Sequence, residues 1–354
     1  FTALRGLRDR AKQYDLICLD PPKLANSEKQ LDKATRAYKD LNLLAAKLLA
    51  PGGEATIAGA IAAATPLIFA GLGELIAERT GVINLGVEGM MLTGAIAGFA
   101  AAADTGYGAA IGLPVGAIAG AATAMIFAFF ALSLAANQAA CGLALTIFGI
   151  GLSAFVGQHY VSYSLPGLQP LAIPLLSDIP LLGPVLFKQD AVVYLSFIAF
   201  AGVAWTLSKT RLGLLLKAVG ESPESAHAIG YPVLGIRYGA VAFGGAMAGI
   251  AGAYLSTVYT PLWVQNMSAG RGWIAVALVV FATWKPTRLL LGAYLFGAVT
   301  ILQFHAQGLG IDVPVQVLAA LPYIATIVVL VVISRDRRLL QLNLPASLGK
   351  PFLP

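Results

Sequence analysis

Glu88 and Asn84 are the residues of this sequence best placed to act on a solute. Both lie in ERTGVINLGVEGMMLTGA, Glu78–Ala95, within or at the edge of an apolar run. Polar and ionisable groups in such runs are costly and usually face the interior of a helix bundle. Glu88 therefore has three candidate tasks: contacting a substrate, carrying a proton, or pairing with a neighbouring helix end or backbone, the last being the commonest. A second cluster is the Asp20-Pro21-Pro22 loop, which follows the short apolar run YDLICLD. Strand, loop, amphipathic helix and Gly-Gly turn, in that order, belong to the carboxyl edge of a doubly wound sheet, where ligands bind. A third is ESPESAHAIG, Glu221–Gly230, in a charged loop. Ser222 can cap a helix with Pro223 at its first position and Glu224 in its first turn, and Gly230 can end it. This predicts a short rigid helix with Ala226 and Ile229 on one side. His159 and His305 are single and without ligand partners, so no metal site is expected. Asp104, Asp178 and Asp312 are expected to be solvated.

The elements that must carry these residues differ sharply along the chain. Of 354 residues, 58% are hydrophobic and only 11% charged, well below the soluble average of about 25%. Residues 1–53 hold 10 Lys/Arg and 6 Asp/Glu; residues 54–354 hold 13 and 11. The first part reads as a short α/β fragment, the second as an all-α polytopic membrane protein. The first residue is Phe1, so the true beginning is expected to lie further upstream. Apolar runs predict about nine transmembrane helices: Ala55–Ala77, Leu85–Ala103, Tyr107–Leu134, Ala139–Gly157, Ala191–Ser208, Gly235–Tyr259, Gly272–Trp284, Leu289–Ala306 and Pro314–Ser334. Gly272–Trp284 is too short to cross unaided; it begins nearer Met267 or is re-entrant. Gly112, Gly116 and Gly120, Gly94 and Gly98, and Gly245 and Gly249 recur at intervals of four, the spacing that lets helix backbones approach. The Pro-rich segment Gly157–Ala191 is too broken to span and is expected to form a folded cap outside the membrane.

Eleven basic residues, among them Arg79, Lys209, Arg211, Lys217, Arg237, Lys285 and Lys350, fall in alternate loops, against Lys188 and Arg271 on the other side. The asymmetry places the Lys209–Arg237 loop and the C-terminus in the cytoplasm. It also places residues before Glu54 outside, in conflict with their basic charge. No G-x-x-x-x-G-K-[ST] motif occurs, so any ATP energy must come from a partner.

The stretches TPLIFAGLGELIAERTGVINLGVEGMMLTGA, TRLGLLLKAVGESPESAHAIGYPV, AGRGWIAVALVVFATWKP and LPASLGKPF together resemble an inner-membrane permease of ATP-binding-cassette importers for nucleosides and simple sugars. That family is related to the branched-chain amino-acid permeases. The resemblance covers essentially all of 54–354. It implies a transport subunit and not an enzyme, without cofactors of its own; ATP-Mg would be held by a partner ATPase. It implies that Glu221, Ser222, Pro223, Glu224, Ala226, Ile229 and Gly230 form the coupling helix that sits on that ATPase. Asn84 and Glu88 would lie beside the translocation path. The other implied partners are a second permease, commonly in a heterodimer, an extracytoplasmic substrate-binding lipoprotein and the lipid bilayer of a bacterial cytoplasmic membrane. A secondary transporter of a small polar solute is the alternative, with Glu88 the plausible proton carrier.

Residues 1–53 resemble part of an S-adenosylmethionine-dependent 23S ribosomal RNA cytosine-5 methyltransferase, Rossmann-like in fold. Asp20, Pro21 and Pro22 match its loop at the cofactor and target base. The Gly-rich cofactor loop has no counterpart, and Cys18 does not match the nucleophile position, so methyltransferase activity and nucleic-acid binding are not expected. The foreign segment reads as a piece of another gene joined at about Gly53/Glu54, by a fusion or by faulty assembly. A bifunctional methyltransferase and transporter is the least favoured reading.

Overall fold

The computed structural model describes residues 51–308 and 343–353, except 162, 175, 178, 180 and 181, and also 320, 324 and 327. The Asp20-Pro21-Pro22 loop, Cys18, Asp178, Asp312 and nearly all of the ninth expected span lie outside the described residues. In chain order the helices are α1 (Pro51–Arg79), α2 (Val87–Thr105), α3 (Ala109–Ala128), α4 (Gln138–Gly157), α5 (Leu182–Leu186), α6 (Ala191–Lys209), α7 (Arg211–Glu221), α8 (Pro223–Ala228), α9 (Val233–Tyr254), α10 (Arg271–Phe281) and α11 (Pro286–Gly308). Single π-turns, Phe129–Ser133 and Leu255–Tyr259, extend α3 and α9.

The described residues fall into two compact units, one that holds Pro170–Gln189 and one that holds Ile61–Gln169 and the chain from Asp190 on. In the first, β1 (Leu171–Ala172) pairs antiparallel with β2 (Lys188–Gln189) around α5. Gln189 Nε2 donates to the Val185 carbonyl at 2.7 Å, and the Gly183 N–H to the Ile179 carbonyl at 2.8 Å. The Pro-rich segment is thus folded at both ends: within the second unit, its start packs Tyr160 and Leu165 around buried Phe99 and Trp263.

Five helices in the described residues are long and apolar enough to cross a membrane: Ile57–Arg79, Ala109–Ser133, Gln138–Tyr160, Ala191–Lys209 and Val233–Tyr259. The protein is a multi-pass membrane protein, mostly helical. Exposed Leu143, Ile147 and Phe155 on α4, with Ile198 and Trp205 on α6, present apolar side chains outward, as a hydrocarbon surround requires. The π-extended α3 and α9, with α2, form the tightest packing. Here the glycine spacing acts as expected: a Cβ on Gly94 would run into Gly249, one on Gly116 into Ala253, and one on Gly120 into the Gly245 carbonyl. Hydrocarbon gives helices no solvent-driven reason to associate, so close backbone approach and dispersion hold such a trio together.

Two expectations need correction. The loop 209–237 holds two helices, not one: α7 precedes α8, started by Thr210, whose Oγ1 accepts from the Gly213 N–H at 3.1 Å. The Gly272–Trp284 run forms an 11-residue helix, α10, that stops at Phe281; Thr283 and Trp284 take φ of 49° and 54°. Asp104 is exposed, as expected, and accepts from Tyr160 Oη at 2.9 Å.

The Gly252→Ala substitution on α9 would place a methyl against the Met91 carbonyl, whereas Gly202→Ala on α6 meets open space. We expect Gly252→Ala to cost about 1–3 kcal/mol and Gly202→Ala to be near neutral; thermal unfolding of the purified protein in detergent, side by side, tests the contrast.

Candidate functional site

Between α1 and α2 the chain leaves helical geometry at residues 80–86 while still inside the bundle. Such a break is tolerated only where its freed N–H and C=O groups find partners. The buried carboxylate of Glu74, on α1, accepts from the Asn84 N–H at 3.0 Å. Gln138 Oε1, from the start of α4, accepts from the Ile83 N–H at 2.9 Å. Thr146 Oγ1 donates to the Leu85 carbonyl at 3.1 Å. Asn84 Oδ1 accepts from the Gly86 N–H at 2.9 Å, closing an Asx turn directly before α2. Asn84 is thus buried and shapes the break itself.

Glu88, in the first turn of α2, is 3% exposed. Its Oε1 accepts from Ser268 Oγ at 2.5 Å and from the Gly270 N–H at 2.8 Å; its Oε2 accepts from the Gly272 N–H at 2.6 Å. The carboxylate therefore caps the N-terminus of α10, where unpaired N–H groups and the helix dipole both favour negative charge. A Cβ on Gly272 would meet the Glu88 backbone at 2.5 Å, so only glycine lets the two helices close on this contact.

Residues that the sequence analysis passed over complete the cluster. Glu78 Oε2 accepts from Trp284 Nε1 at 2.5 Å, and Arg79 Nη2 donates to the Trp284 carbonyl at 2.6 Å. Glu74 and Glu78 are each 2% exposed. Their signal was in the sequence: two carboxylates four apart at the end of an apolar run share one helix face. Gln138 is 4% exposed, and its Nε2 has no partner among the described residues.

The second cluster lies around α8. Ser222 caps it, its Oγ accepting from the Ser225 N–H at 3.2 Å, with Pro223 at the first helical position and Glu224 in the first turn. Glu221 is the last residue of α7. Gly230 follows with φ 93°, and its N–H reaches the His227 carbonyl at 2.8 Å. The helix is shorter than its signals implied, and Ala226 and Ile229 do not share a side. Ala226 is 3% exposed and packs with Val219, Val233 and Phe352, whereas Ile229, just past the helix, is 73% exposed. Ile229 is the C-cap, with φ −90° and ψ 9°, so the backbone has left helical geometry where the i,i+3 relation to Ala226 would apply. Lys217 on α7 donates to the Leu207 carbonyl at 2.7 Å. Burial, with the nearby Arg79 charge, lowers its ammonium pKa below the ordinary value.

Comparison with known proteins matches residues 56–333 to a family described as branched-chain amino-acid transport system permease components. TsgC13 of Haloferax volcanii, whose name provisionally assigns it as a glucose ABC transporter permease protein, is 43% identical over 315 residues, covering 82% of this chain and 95% of that protein. The nucleoside ABC transporter permease protein NupC of Lactococcus lactis is 31% identical over 286 residues, covering 77% of this chain and 90% of its own. A separate 53-residue stretch, 15% of this chain, is 55% identical to 13% of ribosomal RNA large subunit methyltransferase I of Shewanella frigidimarina. No solved structure matches the chain.

Replacing Glu88 by Gln would turn one acceptor into a donor facing the α10 amides. Hydrogen bonds to a charged group are worth roughly 1.5–3 kcal/mol, so Glu88→Gln should unfold at clearly lower temperature than wild type; an unchanged midpoint in detergent would show that the cap contributes nothing.

Proposed function

The chain belongs to the permease family of branched-chain amino-acid transport systems, and on that footing we propose that it is the membrane subunit of an ATP-driven importer for nucleosides or simple sugars. The substrate class rests on the names of its relatives, which are assigned to glucose and to nucleosides. The relatives are transport components, so the chain contributes a path and not a reaction. ATP-Mg would be held and hydrolysed by a partner ATPase, and the solute delivered by an extracytoplasmic binding lipoprotein. A second permease would complete the path, in a heterodimer. We place the protein in the cytoplasmic membrane of a bacterium, with the α7–α8 segment and the C-terminus inside the cell. The packing of Phe352 against Ala226 supports a common side for those two.

The observation that carries this reading is α8: a capped helix of six residues, with Ile229 and Tyr231 exposed beside it. An apolar projection on a rigid, charged segment is the form expected of a coupling helix seated in a groove of the ATPase. Asn84 and Glu88 lie beside the path in this reading, where they shape the break and seat α10. A secondary transporter would need a carboxylate open to exchange, whereas the oxygens of Glu88 are taken by three protein donors. Residues 1–53 stand apart from this function, as a methyltransferase-like segment ahead of a permease domain spanning 54–354.

The test is uptake of radiolabelled guanosine and glucose by the reconstituted transporter. Wild type should require ATP, and Ile229→Asp, at an exposed position with no fold to disturb, should reduce uptake on the order of tenfold, the effect of losing about 1.4 kcal/mol at a docking contact. Uptake that persists without ATP, or that ignores this substitution, would point to the secondary transporter.

A further inference from the structure

We propose that Arg237 and Ser347 are positioning residues for transport, clasping the C-terminal tail so that movement of α8 reaches the break between α1 and α2. The role rests on the permease reading above.

Arg237 stands one turn into α9 and is fully buried. Its guanidinium reaches two separate pieces of chain, the start of the break and the tail. Nε donates to the Thr80 carbonyl at 3.0 Å, Nη2 to Ser347 Oγ at 3.2 Å, and Nη1 to the Lys350 carbonyl at 3.4 Å. The ring of Phe352 lies 6.0 Å from its Cζ. One rigid fork thus ties the start of the break, the root of α9 and the tail together, a task that the single point of a lysine ammonium cannot repeat.

Ser347 is the other knot. Its N–H and its Oγ both donate to the Gly220 carbonyl, at 2.9 and 2.7 Å, so it holds the end of α7 immediately before α8. Two residues on, the Gly349 N–H donates to the Gly81 carbonyl at 3.0 Å. At the near end of the tail, Arg79 Nη1 donates to the Asn343 carbonyl at 3.3 Å. At the far end Phe352 is buried with Val219, Ala226 and Val233, and its ring meets that of His227 at 5.7 Å. Gly81, at φ 89°, has no room for a Cβ beside Ser347 Oγ and Arg237 Nη2, and Gly220 has none beside the Arg79 carbonyl. Residues 343–352 therefore touch the last turn of α7, the inner face of α8, the root of α9 and both ends of Arg79–Gly81.

The consequence is a mechanical linkage. Two short routes join α8 to the break without the tail, the root of α9, where Arg237 donates to the Thr80 carbonyl, and the end of α7, where Gly220 lies against the Arg79 carbonyl; the tail adds a third. With it, a push on α8 displaces Phe352 and Ser347, and through Gly349 and Arg237 the carbonyls of Gly81 and Thr80. Three residues further on stands Asn84, whose N–H is held by Glu74.

The experiment measures substrate uptake and ATP hydrolysis on the same proteoliposomes of the complete transporter. Ser347→Ala and Arg237→Lys should retain hydrolysis within about twofold while uptake per ATP falls about fivefold or more, the lower range of measured coupling between sites. Phe352→Ala, which leaves every hydrogen bond in place, should fall in the same direction, and Ser347→Thr, which keeps the hydroxyl, should restore the wild-type ratio. A wild-type ratio in both Ser347→Ala and Phe352→Ala would overturn the proposal. So would loss of the ATPase from the purified complex in every variant, since the tail would then only build the docking surface. Wild-type protein without ATP-dependent uptake would sink the permease reading and the clasp together, whereas an unchanged ratio in the variants sinks the clasp alone.

Discussion

A helix broken inside a packed bundle leaves backbone amides and carbonyls that need partners from the protein itself, and the break at residues 80–86 sets terms for everything around it. Its groups are met one at a time: Thr80 O by Arg237, Gly81 O by Gly349, Ile83 N by Gln138, Asn84 N by Glu74, Leu85 O by Thr146 and Gly86 N by the Asn84 side chain. The partners come from α1, α4, α9 and the tail. Few of these polar residues could be replaced singly by apolar ones without stranding a backbone group, which explains why so many buried polar side chains gather in so apolar a chain.

The same economy governs the helices. Where α2, α3 and α9 meet, glycines replace side chains, and the contact is backbone on backbone. Where α10 approaches α2, Glu88 fills the gap and Gly272 makes room for it. The two devices differ in what they tolerate. Glycine contacts need only smallness, whereas the Glu88 seat needs an acceptor of the right charge facing three donors.

Most of the helical framework was legible in the sequence, because apolar runs and small-residue spacing are local signals. The glycine pattern gave the contacts of α2, α3 and α9, and Ser222-Pro223 marked the start of α8 to the residue. Boundaries failed where tertiary contacts decide them: α10 stops early, where Trp284 turns to meet Glu78, and α7 was hidden in a loop because its apolar face is short and mixed with charge. The site was half legible. Glu88 was singled out, and pairing with a helix end was among its candidate tasks. Glu74, Glu78 and Gln138 were missed because each reads as an ordinary residue until the break they satisfy is seen. Arg237 was counted as one more basic loop residue setting orientation, since nothing in its neighbours shows that its partners are backbone carbonyls 113 and 157 residues away.

The wrapped tail also imposes an order in time. Residues 343–352 leave the ribosome after α1 to α11 have been made, yet Phe352 is part of the cluster that buries Val219, Ala226 and Val233. Every described helix can therefore be inserted and packed while the face presented by α7 and α8 is still unfinished.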